Sequence, residues 1–237
     1  MAVVLTHSVA LYAIVAVPWL GRLLYQKARW CIRAGDALAK VRLYRQIVIE
    51  QVIGTVVVLW LCFSGAVSPT HLGLGASRSG WLTAASAVGI GTLLLWSGLR
   101  LRPKAQRIRE KLSDRAEALL PDTLTEQCWF AAVSIGAGIN EELIFRGFLF
   151  WYCTLWLPHL NSLECALVAS LIFGMAHLYQ GWKGVVSTAF VGLIFAGLYV
   201  LTGNLLVPVV AHATADLRAL LIFWRGSGQQ ATTAGAA

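Results

Sequence analysis

Read for hydrophobic and polar positions, the chain divides into seven apolar segments, near 3–21, 46–68, 81–98, 128–157, 163–179, 183–202 and 205–224. About twenty residues cross a hydrocarbon core of roughly 30 Å, so most of these segments predict one membrane-spanning helix each. Segment 128–157 is the exception: as one helix it would reach roughly 45 Å at about 1.5 Å per residue. Gly136 and Gly138 mark where a break is easiest, which leaves an eighth span open. The expected fold class is an all-α polytopic membrane bundle of about seven to eight transmembrane helices.

The polar stretches between the segments are basic. "RLLYQKARWCIRAGDALAKVRLYR" (Arg22–Arg45) and "RLRPKAQRIREKLSDR" (Arg100–Arg115) hold much of the excess positive charge. Lys and Arg accumulate on cytoplasmic loops, so this excess encodes orientation: N-terminus outside and, with seven spans, C-terminus inside, with which Arg225 agrees. Trp81, Trp96, Trp129, Trp156, Trp182 and Trp224 fall near segment ends, as an interfacial aromatic belt requires. "RIREKLSDRAEALLPDTLTEQ" (Arg107–Gln127) alternates charge with leucine and predicts a solvated helix at the membrane surface. The tail "GSGQQATTAGAA" (226–237) is small and polar and predicts disorder.

Composition sharpens this picture. The 237 residues are 58% hydrophobic and 13% charged, with mean hydropathy +0.69. Soluble domains carry roughly a quarter charged residues, so a soluble all-helical protein is disfavoured. The formal net charge of +8 would raise nucleic acid as a partner of a soluble protein. Here anionic lipid headgroups suffice and no nucleic acid is expected. Cys31, Cys62, Cys128, Cys153 and Cys165 show no CxxC or zinc-like spacing and read as reduced, structural residues. The first twenty residues lack a basic start and a cleavage site and read as a span rather than a signal peptide.

Several ionisable residues lie inside the apolar segments. "INEELIFRG" carries Glu141, Glu142 and Arg146; "FGMAH" ends on His177; "HATAD" holds His212 and Asp216. Each buried charge costs about 2.5–3.5 kcal/mol on insertion scales, which makes each one a functional-site candidate. Glu142 and Arg146 are one turn apart and can pair; Glu141 is rotated about 100° from Glu142 and is left free for another task. A desolvated carboxylate can take a proton from water and return it to a leaving group, which describes a hydrolytic site within the membrane. Alternatively Glu141, His177 and His212 are a His₂Glu zinc set, although HExxH is absent. His177 and His212 could also ligate a b-type haem, which leaves the Glu–Glu–Arg group unexplained. A proton-coupled transporter could use the same residues but should show a repeat or broken helices.

"EELIFRG", "FGMAH" and "HATAD", in that order on successive segments, resemble the three motifs (EExxxR, FxxxH and HxxxN or HxxxD) of the CPBP family of intramembrane proteases. That family includes the type II CAAX prenyl endopeptidase and bacteriocin-processing proteins. The resemblance covers roughly residues 125–220 and implies a division into N-terminal spans and amphipathic segments (1–124), a catalytic core (125–225) and a tail (226–237). It implies an endopeptidase that cuts near a membrane-associated end of a protein or peptide, with Glu141 activating water, Glu142 its companion held by Arg146, and His177 and His212 completing the site. Asp216 stands where the CAAX endopeptidase has Asn; an ionised Asp cannot donate a hydrogen bond, so it would orient His212, stay protonated or help bind a metal. The family has been described both as metalloproteases and as glutamate proteases. No cofactor is favoured here and zinc stays open. The alternative is a non-catalytic scaffold or immunity protein of the same fold. The compact chain suggests a prokaryotic cytoplasmic membrane, and the oligomeric state is left undefined. Counted at about 1.5 Å per residue from the segment ends, Glu141 lies near mid-membrane, His177 toward the cytoplasm and His212 toward the outside, about 10 Å apart in depth.

Overall fold

The computed structural model describes residues 2–75 and 80–223; Trp224, Arg225 and the tail 226–237 lie outside the described residues. Six helices are long and apolar enough to cross a membrane: α1 (Val3–Arg33), α2 (Ala39–Phe63), α3 (Gly80–Arg109), α4 (Leu124–Trp156), α6 (Trp182–Thr202) and α7 (Leu206–Phe223). The apolar helix α5 (Ser162–Ala176) is shorter. No strand occurs among the described residues. The chain is a polytopic helical bundle turned outward for lipid: Phe63 is 92% and Leu201 85% exposed, whereas Glu142, Arg146, Asn140 and His212 are buried.

Local sequence sets the helix ends. α4 starts in a capping box, in which Thr123 accepts from the Glu126 amide and Glu126 accepts from the Thr123 amide. Asn161 and Glu164 form the same box at the start of α5. α6 ends at Gly203, whose φ of +62° is the left-handed conformation open to glycine.

α4 is continuous through Gly136 and Gly138, so the break left open there does not occur. The helix instead widens into a π-helical stretch at Leu143–Leu149, a local irregularity frequent at functional sites. Gly138 serves close packing: a Cβ there would lie 2.7 Å from Ala213 Cβ and 2.9 Å from the Ala213 amide nitrogen of α7. Without a hydrophobic drive between helices in lipid, such small-residue contacts carry much of the association. The stretch Arg107–Gln127 is not one surface helix either. α3 runs on to Arg109, a single helical turn follows at Asp114–Glu117, and the chain then reaches the Thr123 cap.

The two basic stretches meet at one end of the bundle. Lys40 Nζ pairs with Asp122 Oδ2 at 2.5 Å, and Arg29 approaches Asp114 at 3.9 Å. The Tyr25 hydroxyl donates to Arg115 O at 3.0 Å, and Tyr44 to Leu119 O at 2.7 Å. At the opposite end the Leu205 amide donates to Gly73 O and Asn204 Nδ2 to Gly75 O, tying the α6–α7 corner to the segment after α2. All five cysteines are unbridged.

Candidate active site

Glu141 and Glu142 close the regular part of α4, directly before its π-helical stretch, which carries Arg146. Consecutive helical residues point about 100° apart, so the two carboxylates serve different neighbours. Glu142 turns into the bundle, fully buried, and its Oε1 takes two charge-assisted partners: Arg146 Nη1 at 2.8 Å and His212 Nδ1 at 2.7 Å. Arg146, 1% exposed, also donates from Nη2 to the Gly192 carbonyl of α6 at 3.1 Å, and its guanidinium lies over the Phe173 ring at 4.2 Å. A buried ion pair offsets its desolvation only when its remaining hydrogen-bonding groups find partners. Arg146 finds one such partner in a carbonyl from a third helix, while Glu142 Oε2 accepts no hydrogen bond among the described residues.

Glu141 turns the other way. Its Oε2 is buried, accepts no hydrogen bond among the described residues, and lies 3.8 Å from His177 Nε2 and 3.9 Å from His212 Nε2. These separations leave the atoms apart by more than a direct hydrogen bond and close enough for one bridging water.

The histidines are oriented from their far nitrogens. His177 Nδ1 lies 2.9 Å from the Phe173 carbonyl; a carbonyl only accepts, so Nδ1 carries a proton and Nε2 is the nitrogen turned toward Glu141. His212 Nδ1–H likewise donates to the Glu142 carboxylate. Phe195 stacks on the His212 ring at 5.1 Å, and Phe173 meets His177 edge-on at 4.8 Å. Both rings are therefore held with Nε2 toward Glu141.

Asp216 is one turn beyond His212 on α7, with its Oδ2 3.7 Å from His212 Nε2. That is too long for a hydrogen bond. Glu142, not Asp216, orients His212. The Asp216 side chain is 43% exposed and faces a cavity of about 540 Å³ whose walls also include Glu141, His177 and His212. A smaller cavity of about 170 Å³ meets the site from the α1–α2 side and shares Glu141 and His177 with it.

All six residues singled out in the sequence thus converge, and the expected 10 Å offset in depth is absent. α5 is the reason. It stops at Ala176, short of a full crossing, so His177 at its end stands at the level of Glu141. Tyr179 was not singled out in the sequence, although it lines both cavities from the turn after α5. Burial pushes its hydroxyl above the ordinary tyrosine value, so it stands there as a neutral donor. Phe195 and the Gly192 carbonyl were missed as well; both belong to an ordinary apolar helix and carry no signal in the chain.

As a zinc set the group is loose. Ligands bound at about 2.0–2.1 Å in tetrahedral geometry stand roughly 3.4 Å apart, against 3.8 and 3.9 Å here. No group of three or more His, Cys, Asp or Glu among the described residues is arranged to hold a metal ion.

Comparison with known proteins agrees with the motifs. Residues 124–218 match the family described as type II CAAX prenyl endopeptidase Rce1-like. An "Uncharacterized 24.3 kDa protein" of Escherichia coli is 34% identical over 149 residues, which cover 60% of this chain and 62% of that protein. No solved structure matches.

Proposed function

With residues 124–218 an Rce1-like segment of the CPBP family, we propose that this integral membrane protein is an intramembrane endopeptidase that cleaves a peptide bond near a membrane-associated end of its substrate. The observation that carries the reading is the unpartnered Glu141 Oε2 facing two histidine Nε2 atoms on the wall of a large cavity.

A water between Glu141 Oε2 and His177 Nε2 donates one hydrogen to each acceptor, which aims an oxygen lone pair into the cavity. As that oxygen attacks the scissile carbonyl carbon, Glu141 takes its proton. The carbonyl oxygen becomes an oxyanion. His212 in its imidazolium form, with Nδ1–H on Glu142, supplies Nε2–H to it. Glu141 then returns the proton to the amide nitrogen, the C–N bond breaks, and a carboxylic acid and an amine leave.

In that form His212 is held by the Glu142 carboxylate at 2.7 Å, and its Nε2 lies 3.9 Å from Glu141 and 3.7 Å from Asp216. The donor that an Asn would offer at position 216 comes from His212. The mechanism uses no metal.

The test compares peptide termini of membrane and exported proteins from cells carrying the native chain or Glu141→Gln at matched abundance. Uncut species confined to the variant are expected. Identical profiles would remove proteolysis and leave a binding role for the same fold.

A further inference from the structure

The smaller cavity contains a carboxylate that the mechanism does not use. Glu50 lies within the span α2 and lines the 170 Å³ space between α1, α2, α4 and α5, together with Glu141 and His177. Asn140 Nδ2 donates to the Gln51 carbonyl at 2.9 Å. That contact sets the residues beside it, Glu50 and Glu141, at the same level of the bundle. Most of the wall is apolar, with Val17, Leu20, Leu24, Leu43, Ile47 and Phe145 contributing. No lysine or arginine lines it.

Two carboxylates, Glu50 and Glu141, mark the polar side of this space; the Asn140 and Tyr25 donors are engaged within the bundle, and the Tyr12 and Tyr179 hydroxyls can donate or accept. Glu50 receives one hydrogen bond, from Gln46 Nε2 at 3.2 Å on its own helix. Glu141 Oε2, which is buried, accepts none among the described residues. A carboxylate at membrane depth without a counter-charge is costly, and such residues usually face a partner or a pathway. The group that complements this wall has an apolar stem and a tip that only donates. An ammonium offers three donors and a guanidinium five, with no acceptor on either, and the methylene stems of both side chains lie readily along apolar surface. The volume equals about five or six waters at roughly 30 Å³ each, room for a single extended side chain.

We infer that this cavity is the side-chain pocket for a lysine or arginine adjoining the scissile bond, with Glu50 as its counter-ion. The inference rests on the protease reading above. An acidic side chain would be repelled by Glu50 and Glu141 together, so the pocket discriminates by charge as well as by fit.

The experiment extends the terminus comparison to Glu50→Gln and Glu50→Asp, each at matched abundance. Termini that depend on Glu141 should adjoin a lysine or arginine. Glu50→Gln should lower cutting there by about fivefold, the scale of a partly exposed charge pair that loses one charge. Glu50→Asp keeps the charge and should keep the preference. A synthetic peptide spanning one identified site, with its basic residue replaced by norleucine, should be cut poorly and equally by the native chain and Glu50→Gln. Cut sites without a basic neighbour would overturn the pocket assignment while leaving the protease reading intact. So would a norleucine peptide that is still sensitive to Glu50→Gln. Should Glu141→Gln change no terminus at all, the protease reading fails first, in a comparison that Glu50 does not enter.

Discussion

His212 Nδ1 and Arg146 Nη1 meet the same oxygen, Oε1 of Glu142, at 2.7 and 2.8 Å. One buried carboxylate therefore links α4 to α7 and, through the Arg146 contact with the Gly192 carbonyl, to α6. In the proposed reaction Glu142 is a positioning residue and Glu141 the reactive one, and their substitutions should separate. Glu142→Gln strands Arg146 as a buried, unpaired charge and should destabilise the protein by about 3–5 kcal/mol. Glu141→Gln should leave thermal unfolding in detergent close to that of the native chain while lowering cleavage by about 10²–10⁴-fold. Equal destabilisation by both would refute the division of roles.

Asp216 approaches His212 without bonding to it. Asp216→Asn should therefore retain activity within about tenfold, whereas His212→Ala should lose about 10²–10⁴-fold with the histidine's part in the reaction. Initial rates on one identified substrate decide this. A collapse of activity in Asp216→Asn would show that the negative charge itself is needed.

Glu141 Oε2 lies 3.8 and 3.9 Å from His177 and His212 Nε2, separations that a bridging water spans, and the proposed reaction uses no metal. Purified active protein should contain substoichiometric zinc by elemental analysis, and chelators should leave cleavage unchanged. Inactivation by a chelator with recovery on adding zinc would replace the glutamate mechanism by the metal one.

Gly138 and Gly197 should respond oppositely to alanine. A Cβ on Gly138 meets the Ala213 backbone at 2.9 Å, whereas a Cβ on Gly197 meets nothing within 4 Å. Gly138→Ala should cost about 1–3 kcal/mol through overpacking of α4 against α7. Gly197→Ala should be neutral or stabilising by up to about 1 kcal/mol, since alanine has the better helix propensity. Unfolding in detergent measures both.

Asp122, in the link before α4, gives a pH dependence with a defined sign. Burial raises its carboxyl, but the hydrogen bonds and charges of Lys40 and Arg109 outweigh this and leave it below the ordinary value. A depressed folded pKa gives stability that is present above the unfolded value, about 3.9, and is lost as pH falls through the folded value. Asp122→Asn should thus cost up to about 1 kcal/mol at pH 7, in the range of partly exposed pairs. The difference between variant and native stability should shrink below about pH 4. A difference constant from pH 7 to pH 3 would contradict the assignment.

The sequence by itself determined the membrane bundle and the cast of the site. Burying apolar runs in lipid needs no tertiary information, and a charge within such a run is conspicuous because of its insertion cost. Glu141, Glu142, Arg146, His177, His212 and Asp216 were legible for that reason. Tertiary structure decided their depth and their pairing. Counting residues from segment ends assumes that each segment crosses completely; α5 does not, and its early end lifts His177 to Glu141. The partner of His212 was equally hidden. Asp216 is its neighbour one turn away on the same helix, yet Glu142, seventy residues earlier, makes the bond because Gly138 lets α4 and α7 approach closely. Glu50 was visible in the sequence only as an isolated charge within segment 46–68. It acquires a role once α1, α2, α4 and α5 enclose a space around it, because a cavity is a property of packed surfaces and leaves no spacing in the chain.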